Sequence, residues 1–304
     1  MTLILILNFL YASMFILTKL GLEVSQPMFM TGTRMILGGM LSLGIYAIIT
    51  KSWKDIRSIT TAQWGLIGLV GLINVYSCNA LEVWGLKYLS VGKTAFIYNL
   101  TPFFSALLAY FVFSEYMTWQ KWLGLSLGFI GFIPILIGPS EVIDTTATFG
   151  FLSLAELALM GAAISSVLGW TFIRILVKQR RFSPFLLNGI SMVLGGLLCF
   201  GHALYFETQP FIQPMEISQF IKIVLAMAFF KHVIAYNLGA YLLTKYTTTL
   251  MAFFSFTASL FAACLGVLFF HETMSIYFIA SILCVFTGLM IFYQEEFRQG
   301  YITK

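Results

Sequence analysis

The sequence predicts an all-α integral membrane protein of about ten transmembrane helices, arranged as two five-helix repeats of inverted topology. Three observations carry this. Of its 304 residues 60% are hydrophobic and only 10% charged, whereas a soluble domain carries about a quarter charged residues. The mean hydropathy is +0.92, and the apolar runs are about twenty residues long, enough to span a bilayer as helices. These runs do not alternate apolar with polar residues, which argues against a β-barrel. The third observation, an internal repeat, comes from aligning the two halves.

Apolar runs place spans near 2–20, 27–50, 62–85, 91–113, 119–138, 150–175, 184–205, 218–243, 247–270 and 275–293. The opening "MTLILILNFLYASMFILTKL" lacks the basic start and the cleavage signal of a secretory leader, so it reads as the first span. Residues 1–138 then form the first five-helix unit, 150–293 the second, and 294–304 a tail. Cys78, Cys199, Cys264 and Cys284 all fall inside apolar runs without metal-ligand spacing and read as small core residues.

Basic residues set the orientation. Lys51, Lys54, Arg57, Lys178, Arg180, Arg181, Lys245, Arg298 and Lys304 share one side if the N-terminus starts there. The opposite loops 139–149 and 206–216 carry Glu141, Asp144, Glu207 and Glu216 but no Lys or Arg. Lys19, Lys87, Lys93 and Lys222 are the minority. The positive-inside rule therefore puts both termini in the cytoplasm of an inner or plasma membrane. The net charge of +5 sits mostly in loops and does not indicate a nucleic-acid partner.

Residues 95–131 align without a gap on 252–288, at an offset of 157. Ala95, Phe96, Phe113, Glu115 and Gly131 fall on Ala252, Phe253, Phe270, Glu272 and Gly288. The aligned glutamates weigh most, because each ends an apolar run just before the next span, where a carboxylate suits a helix N-terminus. Duplicating an odd number of spans inverts the second copy, and inverted copies suit a site between the halves that opens to alternate sides.

Three stretches resemble the EamA type of the drug/metabolite transporter superfamily. They are "QPMFMTGTRMILGGML" with Pro27 and Arg34, "LSVGKTAFIYNLTPFFSALLAYFVFSEYMTWQKWLGLSLGFIGFIPILIG" with Pro102 and Glu115, and "YTTTLMAFFSFTASLFAACLGVLFFHETMS". The resemblance covers nearly the whole chain. It departs where Ser259 and Ser281 stand at the places of Pro102 and Gly124 in the second half. It implies two EamA-like repeats and a ten-helix secondary transporter, and it leaves the substrate open among amino acids, nucleotide-linked compounds and other metabolites.

A charge at the bilayer centre costs about 2.5–3.5 kcal/mol on insertion scales, so intramembrane charges face cavities or partners. In "AMAFFKHVIAYNLGAYLL" Lys231 lies about 20 Å along its helix at 1.5 Å per residue, too deep to reach the interface. His232, Tyr236 and Gly239 share an α-helical face, with Lys231 turned about 100° from His232. The pairing expected first is Glu156–Lys231, and next Glu82–Lys231. Asn79 and Glu82, three apart, share a face. Arg34 is a further candidate, against snorkelling or capping as the simpler roles. Asn8, Asn74 and Asn99 suit interhelical hydrogen bonds. Tyr98 and Tyr236 suit a cavity wall, as does Trp170, while Trp84, Tyr88 and Tyr241 suit the interfacial belt. The "GLSLG" stripe at 124–128 suits close helix packing.

The candidate substrate-binding set is thus Lys231, His232, Glu156, Tyr236, Tyr98, Asn99, Asn79, Glu82, Arg34 and Asn8. No Walker A motif, HExxH, paired CxxC or nucleophile elbow is present, so no cofactor or metal is expected. The expected function is carriage of a small polar metabolite by alternating access, amino-acid-like, nucleotide-like or S-adenosylmethionine-like. A proton or counter-substrate and a monomer or homodimer all fit. A membrane enzyme using Lys231, His232 and a buried glutamate is the alternative, and a channel is a weaker one.

Overall fold

The computed structural model describes residues 2–50, 56, 59–98, 100–113, 117–137, 148–149, 152–179, 182–246, 251, 254–270 and 276–298. Asn99, Glu115 and Glu272 lie outside them. Among the described residues six helices are long and apolar enough to cross a membrane: α1 (Thr2–Val24), α2 (Pro27–Thr50), α3 (Thr61–Tyr88), α7 (Leu154–Lys178), α8 (Pro184–Phe206) and α9 (Pro214–Lys245). Between them run α4 (Val91–Tyr98), α5 (Thr101–Phe113) and α6 (Trp119–Ile137), and the chain closes with α10 (Phe256–Phe270) and α11 (Ile276–Arg298). The protein is an all-α membrane protein. The stretch read as a single fourth span is two helical segments, with Pro102 in the first turn of the second. A two-residue hairpin, Thr148–Phe149 with Leu152–Ser153, precedes α7.

Local chemistry fixes the helix starts. Pro27 and Pro184 occupy the first turns of α2 and α8, where a missing N–H costs nothing. Thr60 with Gln63, and Ser153 with Glu156, are reciprocal capping boxes at α3 and α7. The Glu207 carboxylate caps α2 from a distance in sequence, accepting from Met28 N at 2.5 Å and Phe29 N at 2.9 Å.

The polarity is that of a protein dissolved in lipid. Phe111, Ile48 and Leu268 are at least 70% exposed, while Arg34 is fully buried. Cys78 and Cys199 are buried, but Cys264 and Cys284 are exposed, so the core reading of the cysteines holds only for the first two. Hydrogen-bonded backbone lets a thiol face hydrocarbon as readily as core.

Small residues set the closest helix contacts. On α2, a Cβ at Gly39 would sit 2.9 Å from the Gly189 carbonyl oxygen of α8, and one at Gly32 would sit 3.0 Å from that of Gly196. Gly38 abuts the His232 side chain of α9, and Gly195 abuts the Val75 side chain of α3. The 124–128 stripe packs on α11, where Gly124 and Gly288 approach backbone to backbone.

Two helices leave α geometry at mid-span. Val70–Ser77 in α3 and Met227–Ala235 in α9 are π-helical. An asparagine closes each wide turn. Asn79 Nδ2 donates to the carbonyls of Asn74 (3.3 Å) and Val75 (2.9 Å). Asn237 Nδ2 donates to those of His232 (3.3 Å) and Val233 (2.8 Å). Single π turns are uncommon and recur at functional sites.

Candidate substrate site

The π segments of α3 and α9 face one cavity of about 180 Å³, while a third, Ile175–Gln179, ends α7. Asn74 and Lys231 reach it from these segments, and Cys78, Glu82, Tyr98 and Tyr236 continue its wall. A π turn aligns residues five apart rather than four. This sets Lys231 and Tyr236 on the cavity side and turns His232 away, contrary to the α-helical face that the spacing suggested.

Lys231 Nζ lies 3.6 Å from Glu82 Oε1. Tyr98 donates its hydroxyl to the other carboxylate oxygen at 3.0 Å and lies 3.4 Å from the Cys78 thiol. The ion pair is longer than the 2.7–2.9 Å typical of a charge-assisted N–H···O bond. Each charge therefore keeps unused hydrogen-bonding capacity toward the cavity.

Glu156, the partner expected first, is engaged elsewhere. Its Oε1 meets Lys93 Nζ of α4 at 2.7 Å, and its Oε2 accepts from Ser153 N at 2.8 Å. It sits at the third position of α7, so the helix start itself claims it. Arg34 neither snorkels nor caps. It is wholly buried, donating to Asn79 Oδ1 at 3.2 Å and Thr18 Oγ1 at 3.2 Å, with Met227 Sδ at 3.5 Å. Asn79 thus links Arg34 to the π turn of α3 and is absent from the cavity wall. Asn237 of α9 accepts from Asn188 Nδ2 of α8 at 3.2 Å on its Oδ1, and its Nδ2 donates to Ser42 Oγ of α2 at 3.2 Å. His232 is fully buried, its ring edge-on to Tyr236 at 5.2 Å, and its two nitrogens have no hydrogen-bond partner among the described residues. Asn8 lines the cavity while donating to Phe254 O at 2.6 Å and Thr257 Oγ1 at 3.0 Å.

The structure thus gathers Lys231, Glu82, Tyr98, Tyr236 and Asn8 at one cavity and removes His232, Glu156, Arg34 and Asn79 from its wall. Sequence reasoning missed Tyr11, Cys78 and Asn74 as wall residues, and Lys93 as the partner of Glu156. Ser153 three residues before Glu156 was a readable capping signal.

The same chain matches the EamA-like transporter family over residues 1–137 and again over residues 153–294. It is 32% identical to a Chlamydia muridarum protein named S-adenosylmethionine/S-adenosylhomocysteine transporter, over 97% of this chain and 91% of that one. A Chlamydia trachomatis protein of the same name is 33% identical, over 97% and 89% of the two chains. A solved crystal structure shares the fold, with a TM-score of 0.70 at 16% identity and 98% of both chains covered. Family and relatives are transporters rather than enzymes, and the chain belongs to the EamA-like transporter family.

Proposed function

We propose that the chain is a secondary transporter that carries a zwitterionic metabolite of the S-adenosylmethionine and S-adenosylhomocysteine class by alternating access. The observation that carries this reading is the Glu82–Lys231 pair, buried yet on the cavity wall. In the empty site each charge stabilises the other. An α-amino acid moiety inserts between them, its ammonium at Glu82 and its carboxylate at Lys231. One long ion pair is replaced by two short ones, and the amino acid moiety itself adds no net charge. Breaking a buried pair without such replacement costs about 3–5 kcal/mol, so the site favours a ligand that brings both charges. The substrate named for the chlamydial relatives carries this head group.

Five-plus-five inversion is supported by reciprocal contacts. The offset of 157 that relates 95–131 to 252–288 also relates "PMFMTGTRMILGGML" to "PFLLNGISMVLGGLL". Applied to the packing, it turns Gly38 on His232 into Gly195 on Val75, and Gly32 beside Gly196 into Gly189 beside Gly39. It also carries the π segment beginning at Val70 onto the one beginning at Met227.

With both termini in the cytoplasm, the outer end is the closed one. There Lys93 meets Glu156, Gln26 N donates to Phe211 O at 2.8 Å, and Gln213 N donates to Val24 O at 3.0 Å. The cavity wall runs the other way, to Leu7, Leu243 and Met251. The site then faces the cytoplasm, and separation of the outer contacts is the step that exposes it outside.

The test is counterflow. Protein reconstituted in liposomes loaded with S-adenosylhomocysteine should take up labelled S-adenosylmethionine saturably and faster than from empty liposomes. Uptake that is absent, or that rises linearly with concentration, would end the proposal.

A further inference from the structure

Resting on the substrate reading above, we infer that Tyr11, Trp170 and Tyr236 form a subsite for the ligand's onium centre and make the transporter prefer a sulfonium over the neutral thioether. All three line the cavity. The Tyr236 ring stands 6.3 Å from Tyr11 at an interplanar angle of 66°, and 5.8 Å from Trp170 at 72°. Rings nearly perpendicular to one another enclose a corner. A flat heterocycle needs parallel walls, whereas a compact cation is attracted to the faces of several rings at once.

Glycine at 239 lets the corner close on α9: a Cβ there would sit 3.1 Å from the Trp170 ring and 3.2 Å from the Tyr11 hydroxyl, so only glycine admits both side chains this near the helix. The Tyr11 hydroxyl oxygen is buried and has no hydrogen-bond partner among the described residues. A methyl group on a sulfonium has polarised C–H bonds, which suit such an oxygen as acceptor.

The spacing agrees with one ligand spanning both poles. Tyr236 lies one π turn beyond Lys231 on the same side of α9. In a methionine-derived ligand the sulfur is three bonds from the α-carbon. With the head group between Glu82 and Lys231, the sulfur falls toward the rings. The carboxylate of Glu82 adds an attractive field for the extra positive charge.

The test uses two matched pairs that differ by one methyl and one charge: S-adenosylmethionine against S-adenosylhomocysteine, and S-methylmethionine against methionine. Binding is measured by calorimetry on full-length protein in nanodiscs. The wild type is expected to prefer the sulfonium of each pair by about thirtyfold, the scale of a desolvated cation–π contact. Trp170→Leu and Tyr236→Leu should shrink that preference to about threefold, while Trp170→Phe and Tyr236→Phe keep most of it. Equal weakening of both members of a pair, or an unchanged ratio, would overturn the assignment. Should the Leu variants not fold, the wild-type ratios decide: no preference in either pair also overturns it. If S-methylmethionine is preferred but neither adenosyl compound binds, the onium subsite stands and the adenosyl reading falls. If S-adenosylmethionine binds with a ratio insensitive to the rings, the reverse holds. Binding of none of the four overturns both.

Discussion

Replacing Lys231 by Met keeps the length of the side chain and removes its charge. Glu82 is then left in a wall where it is 6% exposed, with the Tyr98 hydroxyl at 3.0 Å as its remaining donor among the described residues. Breaking a buried ion pair from one side costs about 3–5 kcal/mol. The surviving Tyr98 bond and the adjacent cavity place this case near the lower figure, about 3 kcal/mol. Glu82→Gln should cost a similar amount by stranding Lys231. The double variant Glu82→Gln/Lys231→Met removes both charges of the pair together and should recover most of the loss, because a buried pair contributes little net stability once its desolvation is counted. Transport should not recover, since the double variant offers neither charge to a zwitterion. Thermal unfolding in detergent gives the stability arm, and liposome counterflow gives the functional arm. A double variant as unstable as the sum of the singles, or a Lys231→Met protein that transports normally, would refute the reasoning.

Three further outcomes follow from the packing. Gly39→Ala places a methyl 2.9 Å from the Gly189 carbonyl and should cost about 1–3 kcal/mol in thermal unfolding, whereas Gly44→Ala, in open space, should cost nothing measurable; equal melting temperatures would contradict this. Asn237→Ala strips the amide from the His232 and Val233 carbonyls and from Asn188, and should destabilise by about 1–3 kcal/mol; a neutral result would remove its role in holding the π turn. Glu156→Gln retains a capping side chain but loses the 2.7 Å contact with Lys93, so in a background without the exposed Cys264 and Cys284 a membrane-impermeant maleimide added outside should label Cys78 about fivefold faster. Labelling at the wild-type rate would show that this pair does not hold the outer end shut.

The membrane class and the depth of Lys231 were legible because they depend only on run length and on where one charge falls. The partner of Lys231 was legible only as the second choice. Glu82 meets it across two helices whose mid-span turns are π-helical, and nothing in the composition of "VGLINVYS" or "MAFFKHVIA" separates an i+5 from an i+4 hydrogen bond. That same change of pitch puts Lys231, rather than His232, on the cavity side with Tyr236. Glu156 was misread for a different reason: "SLAE" carries a local capping box, and a local bond formed within one turn outranks a distant one. Arg34 illustrates a third limit. Its side chain is long enough to snorkel, and only the presence of Thr18 and Asn79 opposite it makes full burial tolerable. The glycines of "ILGGML" and "VLGGLL" could have been read as packing positions, since both runs meet backbone on a neighbouring helix.

The most direct measurement of the central claim compares two ligands that differ only at the carboxylate. S-adenosylmethionine and its decarboxylated analogue are titrated into the wild type and into Lys231→Met in nanodiscs. If Lys231 receives the α-carboxylate, the wild type prefers the intact ligand by about tenfold or more, the scale of a charged hydrogen bond, and Lys231→Met binds the two alike. A preference that survives the substitution would place the carboxylate elsewhere and contradict the site.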